Sequence, residues 1–421
     1  MFKKLIGVFI ILTPFTSYFA LSSWLRLPVL LALVLTVFFL VKIIVTKKLN
    51  IKALMVYKAD LILISLLVLI WISWLFGFRA PRSLNHAVAY SFTVFFYYFL
   101  FRVIIRNERI SSKFILNKFT ISAILCCSII ILDWVLINLF NIGIRDYFVN
   151  VENNSANMLY FQRAFFYSVG GVAEEPGSMA LLLNIVVPLG LLNYSLDNKQ
   201  NKVIWLSIAY ILALFCLFST AGIINAIVAA GLMMFYNLLR SKYIRVKLSY
   251  IYITILGFTG VLVLIIKKPH LFANVANEVN QKLFLSTRDA SASIRTETWH
   301  SSLRDWQLHP VLGNGPGFGV DSYGTGYHSV YLTLLADVGV FALALFILFL
   351  FIHLLQLLQL PKSVSFFTGV ALIATILHFA VVGDFYHAPF WILLILIRML
   401  NIENKSLPAT SNENINHYSY L

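Results

Sequence analysis

Apolar runs close to 20 residues long recur along almost the whole chain, and they constrain the fold more than any other feature. A run of that length matches the roughly 30 Å hydrocarbon core of a bilayer at about 1.5 Å rise per helical residue. Inside lipid every backbone polar group must bond within its own segment, so such runs are helices. Barrel strands would be shorter and would alternate in polarity. Only 12% of the 421 residues are charged and 60% are hydrophobic, with mean hydropathy +0.86. The fold class expected is all-α: a polytopic integral membrane protein of about 12 transmembrane helices.

The spans are placed near 5–24, 28–46, 60–77, 86–105, 119–140, 177–195, 203–219, 222–239, 249–266, 329–356, 364–382 and 388–400. The short Ser219-Thr220-Ala221-Gly222 connection reads as a tight helical hairpin or a broken span. Lys and Arg then set the orientation. About 21 of the 32 fall on one set of connections, among them Lys47, Lys48, Arg102, Arg106, Arg240 and Lys242. The short loops opposite hold Arg26, Arg79 and Arg82. Both termini are therefore expected in the cytoplasm, with residues 1–402 forming the membrane domain and 403–421 a polar cytoplasmic tail. Residues 141–176 and 267–328 become two long loops on the outer side. The net charge of +15 is read as this asymmetry, with no nucleic-acid partner. Cys126, Cys127 and Cys216 sit in apolar runs and offer neither a disulfide framework nor a metal-ligand spacing.

Ionisable groups inside spans are few: Asp133, Asp337 and His378. That poverty argues against ion-coupled transport. The outer loops are richer. Arg288, Arg295, Trp299 and Trp306 are spaced 7, 4 and 7 apart, which places them within about 40° on a helix. Two guanidinium groups on one face make a candidate clamp for phosphate oxygens. Downstream, Gly313, Gly315, Gly317 and Gly319 alternate in His309-Pro310-Val311-Leu312-Gly313-Asn314-Gly315-Pro316-Gly317-Phe318-Gly319 and are expected to expose backbone amides. His328 then sits at the water-facing mouth of a span, on the same helix face as Leu332, Leu335 and Gly339.

Together these residues resemble the O-antigen ligase and polymerase superfamily. The resemblance lies in Arg295-x-x-x-Trp299, His309-Pro310-x-Leu312-Gly313-x-Gly315 and His328-Ser329-x-Tyr331-Leu332, in a long outer loop before a late span. The first loop, with Phe161-Gln162-Arg163 and then Glu174-Glu175-Pro176-Gly177-Ser178, adds to the resemblance, and its Glu175-Pro176-Gly177 step, opening the following span, looks more like the polysaccharide polymerase branch than the ligases. One departure is the Ser219-Thr220-Ala221-Gly222 step, which lacks an arginine common in the family; Arg163 or Arg288 would supply that charge.

The resemblance implies a bacterial inner-membrane enzyme whose two long loops are periplasmic and contain short helices. It implies polymerisation of undecaprenyl-pyrophosphate-linked oligosaccharide repeat units for O-antigen, capsule or exopolysaccharide. The alternatives are a ligase that transfers glycan to lipid A core or protein, and a lipid-linked glycan flippase. The catalytic candidates are His328 and Glu175. Arg163, Arg288, Arg295, Gly313, Gly315 and Tyr327 are the candidates for holding pyrophosphate or glycan. No cofactor is expected, and no outward Asp-x-Asp pair marks a metal, so a metal-independent glycosyltransferase is anticipated. The partners implied are the lipid-linked glycan, the bilayer, and a chain-length regulator and flippase.

Overall fold

The computed structural model describes residues 2–22, 24–47, 50, 54–78, 82–149, 159–163, 166–240, 290–383 and 385–406. The fold is almost entirely helical. In chain order the longer helices are α1 (Phe2–Leu12), α2 (Leu27–Thr46), α3 (Lys58–Phe76), α4 (Ser83–Asn107, with a π-helical stretch at Val94–Leu100) and α5 (Ser112–Phe140). After the short α6 (Arg145–Phe148) come strands β1 (Tyr160–Arg163) and β2 (Phe166–Val169). Helices α7 (Pro176–Leu196), α8 (Gln200–Leu217), α9 (Thr220–Leu239), α10 (Ala290–Leu308) and α11 (Phe318–Tyr323) follow. The chain ends on α12 (Val330–Val338), α13 (Val340–Leu358), α14 (Lys362–His378) and α15 (Ala388–Ser406).

Among the described residues, eight helices are long and apolar enough to cross a membrane: α2, α3, α4, α5, α7, α8, α9 and α13. The multi-pass helical fold expected from the apolar runs is therefore present. Helix α7 is the hub. Every residue from Met179 to Asn193 is buried, and it packs on α5, α8 and α14. A helix apolar all round belongs in such a surrounded place. The peripheral helices instead turn large apolar side chains outward, as with Val37, Val41 and Ile44 of α2 and Ile211 of α8. In lipid that exposure costs nothing.

Two expected spans take a different form. The first is helical only over Phe2–Leu12, because Pro14 cannot continue the ladder. The chain then runs on without regular helix, its Thr13, Phe15, Ser17 and Tyr18 buried in protein, until Ser17 donates to the Val172 carbonyl at 3.1 Å. Irregular backbone at this depth is tolerated where protein surrounds it. The span expected at 329–356 is broken into α12 and α13 by Gly339, whose φ of +96° disfavours any residue with a Cβ. The expected span at 249–266 lies outside the described residues. Helix α15 runs on to Ser406, and the rest of the polar tail expected over 403–421 lies outside the described residues.

The first outer loop holds an unexpected antiparallel hairpin. Tyr160 pairs with Val169 and Arg163 with Phe166. Its aromatic and β-branched residues favour that conformation. Asp133 anchors it to α5: Oδ1 accepts from the Ile144 amide at 3.0 Å and from the Tyr160 hydroxyl at 3.2 Å. The intramembrane Asp133 is thus a structural acceptor. The Ser219–Gly222 step is a helical hairpin. Phe218 takes a left-handed conformation, and the Ser219 hydroxyl accepts from the Gly222 amide at 3.3 Å.

Contacts sort into two ends of the bundle. One end gathers Arg26 with Glu174, Phe78 with Asn314, Arg82 with Asp321, and Val330 with Phe379. The other gathers Lys42 with Glu108, Lys113 with Asp197, Ser112 with Glu403, and Arg240 with Leu358. Among the described residues, the glycine turn and the entry to α7 lie at the first end, and Lys42, Lys113 and Arg240 at the second.

Candidate functional site

The second loop returns to the bundle through α10, and the residues that dock this helix are polar. Thr298, Ser301, Ser302 and Asp305 are buried, and all fall on one side of it. Asp305 is the anchor. Its carboxylate accepts from the Tyr327 hydroxyl at 2.8 Å and the Tyr323 hydroxyl at 2.9 Å. Its backbone carbonyl accepts from the Asn314 side-chain amide at 2.8 Å. The Arg295–Trp299–Trp306 stripe, expected to be the docked face, lies along the margin of that buried side and is half-buried. The reason is that the buried side meets the loop's own tyrosines and turn rather than lipid. Trp306 Nε1 donates to the Pro310 carbonyl at 3.1 Å. Arg295 Nε is buried and has no hydrogen-bond partner among the described residues.

The glycine turn folds inward. Gly313 donates its amide to the His309 carbonyl at 2.9 Å, Asn314 to Ala336 at 2.9 Å, and Gly315 to Asp337 at 2.8 Å. Gly317 donates to the Asp337 carboxylate at 2.8 Å. Gly315 has φ +110°, and a Cβ there would meet the Phe78 carbonyl at 2.8 Å. The amides expected to be exposed at Gly313 and Gly315 are therefore taken by internal acceptors, and these glycines shape the turn. Tyr327, only 1% exposed, likewise holds Asp305 rather than presenting its hydroxyl. Asp337 ties the turn to α12.

His328 is not on a helix face as expected. Ser329 is the N-cap of α12, its hydroxyl accepting from Leu332, because a hydroxyl there satisfies an otherwise orphaned amide. His328 precedes it with φ +50°, a conformation that non-glycine side chains rarely adopt. Holding it there costs on the order of 1–3 kcal/mol, a strain that clusters at functional positions. Its ring Nε2 lies 3.1 Å from the Thr325 hydroxyl. Burial, and then the Arg295 guanidinium, pull the imidazole below its ordinary value of 6.5. The structure thus brings two separately predicted residues, Arg295 and His328, into one electrostatic field.

The end of α14 and the start of α15 complete the surround. His378, 1% exposed, interacts electrostatically with His387 and Arg295 and makes a backbone hydrogen bond with Gly177. Gly177 belongs to the first turn of the hub helix α7, immediately after Glu175 and Pro176. A Cβ at Gly383 would sit 3.7 Å from the His328 amide. The mouth is thus built from α10, the His328 turn, the α14–α15 connection and the N-terminus of α7. Glu175 is the exposed N-cap residue of α7 and accepts from Ser178 at 3.3 Å. Arg163 closes β1, and its side chain lies outside the described residues, as does all of Arg288.

Sequence reasoning noted His378 only as one of few intramembrane ionisable groups, and did not single out His387 or Arg145. Arg145 is fully buried and donates from Nη2 to the Glu174 carbonyl at 3.0 Å. Glu174 in turn pairs with Arg26. Asp133, Tyr160 and Tyr18 share the field around Arg145, and burial pulls its guanidinium below its ordinary value. Arg145 therefore fixes the backbone step that enters α7. Replacing it with alanine removes the donor to the Glu174 carbonyl and the positive charge near Asp133, a loss of roughly 1–3 kcal/mol. The expected result is a lowered thermal-unfolding temperature in detergent, with earlier proteolysis of the first loop.

Residues 205–347, about a third of the chain, match the family model described as O-antigen ligase. The match supports the O-antigen ligase and polymerase superfamily. It runs from α8 to α13 and includes Arg295, the glycine turn and His328, while Glu175 and His378 lie outside it. No curated protein matches the chain.

Proposed function

We propose that the chain is a glycan polymerase that joins polyprenyl-pyrophosphate-linked oligosaccharide repeat units at the outer face of a bacterial inner membrane. The observation that carries this reading is the convergence of Arg295, with a buried and unmet Nε donor, and His328, held deprotonated at neutral pH, at one mouth of the bundle. The growing glycan is attacked at its anomeric carbon by a hydroxyl of the next carrier-linked unit. The new glycosidic bond forms as the bond to the carrier pyrophosphate breaks. His328 takes the hydroxyl proton as general base. Arg295 faces the negative charge that grows on the leaving pyrophosphate, where fixed positive charge is most effective. Glu175 is the second candidate base at the same mouth. Arg163 and Arg288 are proposed as further pyrophosphate contacts. Gly313, Gly315 and Tyr327 serve by holding the loop that carries Arg295 and His328.

The polymerase branch rests on the resemblance of the Glu175-Pro176-Gly177 step. The matched model's description favours a second reading, a ligase that delivers glycan to a different acceptor. Purified protein given one lipid-linked repeat unit alone separates them. A ladder of products supports polymerisation; absence of product until a second acceptor is added supports ligation.

Arginine is proposed to do the work that a metal does elsewhere. Turnover in EDTA is therefore expected to remain within about twofold of the untreated rate. A loss restored by a divalent cation would contradict the proposal.

A further inference from the structure

The opposite end of the bundle carries a second cationic cavity that glycan transfer does not use. It is lined by Tyr57, Gln356, Gln359, Arg398, Asn401 and Lys405 and encloses about 270 Å³. Helix α15 links the two ends: His387 precedes it at the catalytic mouth, and Lys405 lies near its far end, roughly 27 Å away at 1.5 Å per residue. Helix α3 does the same, from Tyr57 to the turn that meets Asn314.

Among the described residues, Arg102, Arg106 and Arg398 gather around the Asp60 carboxylate and the Tyr57 ring. Asp60, fully buried, is already engaged. Arg102 Nη1 donates to both its oxygens at 2.6 Å, the Tyr98 hydroxyl donates at 3.1 Å, and the Tyr57 amide at 2.8 Å. Arg398 pairs with that carboxylate at the longer distance of 3.9 Å and lies over the Tyr57 ring, 3.0 Å from its centroid, while its buried Nη1 has no hydrogen-bond acceptor among the described residues. Arg106 stacks over Tyr57 at 4.6 Å and brings a further cation. Among the described residues, the other carboxylates placed at this end have partners of their own: Glu108 with Lys42, Asp197 with Lys113 and Lys199, and Glu403 with Ser112. Leu54, Met55, Val56 and Ile402 beside the cavity expose apolar side chains. The result is a mostly apolar cavity with Arg398 and Lys405 in its lining, at one edge of the membrane domain.

We propose that this cavity binds the phosphodiester headgroup of an anionic membrane lipid, with Arg398 and Lys405 holding the phosphate and the apolar rim meeting the acyl chains. A guanidinium fork and an ammonium suit phosphate oxygens, and basic residues at a membrane surface draw anionic lipid. The site does not depend on the glycan chemistry of the other end.

The test is native mass spectrometry of the intact protein delipidated in detergent and titrated with phosphatidylglycerol or phosphatidylcholine. Wild type is expected to retain one phosphatidylglycerol at least tenfold more strongly than phosphatidylcholine. Arg398→Gln and Lys405→Gln are each expected to weaken retention about fivefold. Lys405 is exposed, so its variant keeps the test sound if Arg398→Gln fails to fold. Equal retention of the two lipids, or unchanged retention by Lys405→Gln, would overturn the proposal. Displacement of the bound lipid by inorganic phosphate at equal concentration would assign the cavity to a free anion and overturn the lipid assignment.

Discussion

Replacing His328 with alanine is expected to lower chain extension by about 10²–10⁴-fold, the usual contribution of a positioned general base, while membrane insertion and expression stay normal. The expectation rests on three observations that meet at one residue. His328 stands at the end of the bundle where α7, α10 and α12 begin or return, in a left-handed backbone conformation held between the Tyr327 anchor and the Ser329 cap. Its imidazole is pulled below 6.5 by burial and by Arg295, so the neutral form needed to accept a proton is dominant at pH 7. Both causes oppose the imidazolium, so activity is present above the shifted value and is lost as pH falls through it. The pH–rate profile of wild type should therefore show an acid limb below 6.5. Polymer of normal length from the alanine variant would remove His328 from the chemistry.

Arg295 carries the second large effect. Its replacement with alanine is expected to cost about 10²–10³-fold in turnover, the scale seen when one donor to a developing charge is removed. Lysine should recover only part of this, because an ammonium lacks the planar fork that grips phosphate oxygens. The same residue acts on His328 through space, and this gives a readout that mere misfolding would not produce. In Arg295→Gln the Coulombic part of the His328 shift disappears, so the acid limb of the residual activity should move to higher pH. A reduced rate with an unmoved limb would show that the two residues do not share one field.

The parts of the fold legible in the sequence were those that lipid dictates. Spans such as α2, α3 and α5 are forced by the length of their apolar runs, with no need to know their neighbours. The misses are local breaks that apolarity hides. Pro14 and Gly339 sit within hydrophobic stretches that average out as continuous spans, yet each interrupts a helix. The β1–β2 hairpin was missed because an eight-residue signal is weak beside 20-residue runs.

At the site, Arg295 and His328 were readable because they flank one loop with recognisable spacing. His378 and His387 were not, because only packing of the α14–α15 connection against α7 and α10 brings them to that loop. The glycine turn shows the limit of composition. Alternating glycines promised free amides, but the His309 carbonyl takes that of Gly313, the Asp337 carbonyl that of Gly315 and the Asp337 carboxylate that of Gly317. Arg145 gave no signal at all, since a lone arginine in a polar loop reads as exposed and its burial comes from the loop folding over it.

The most direct test of the central claim is to measure carrier release by purified protein supplied with a single lipid-linked repeat unit. The account expects wild type to liberate one polyprenyl pyrophosphate for each linkage formed, and expects His328→Ala to bind the donor with near wild-type affinity while releasing almost none. Wild-type rates of carrier release from the His328→Ala protein would contradict it.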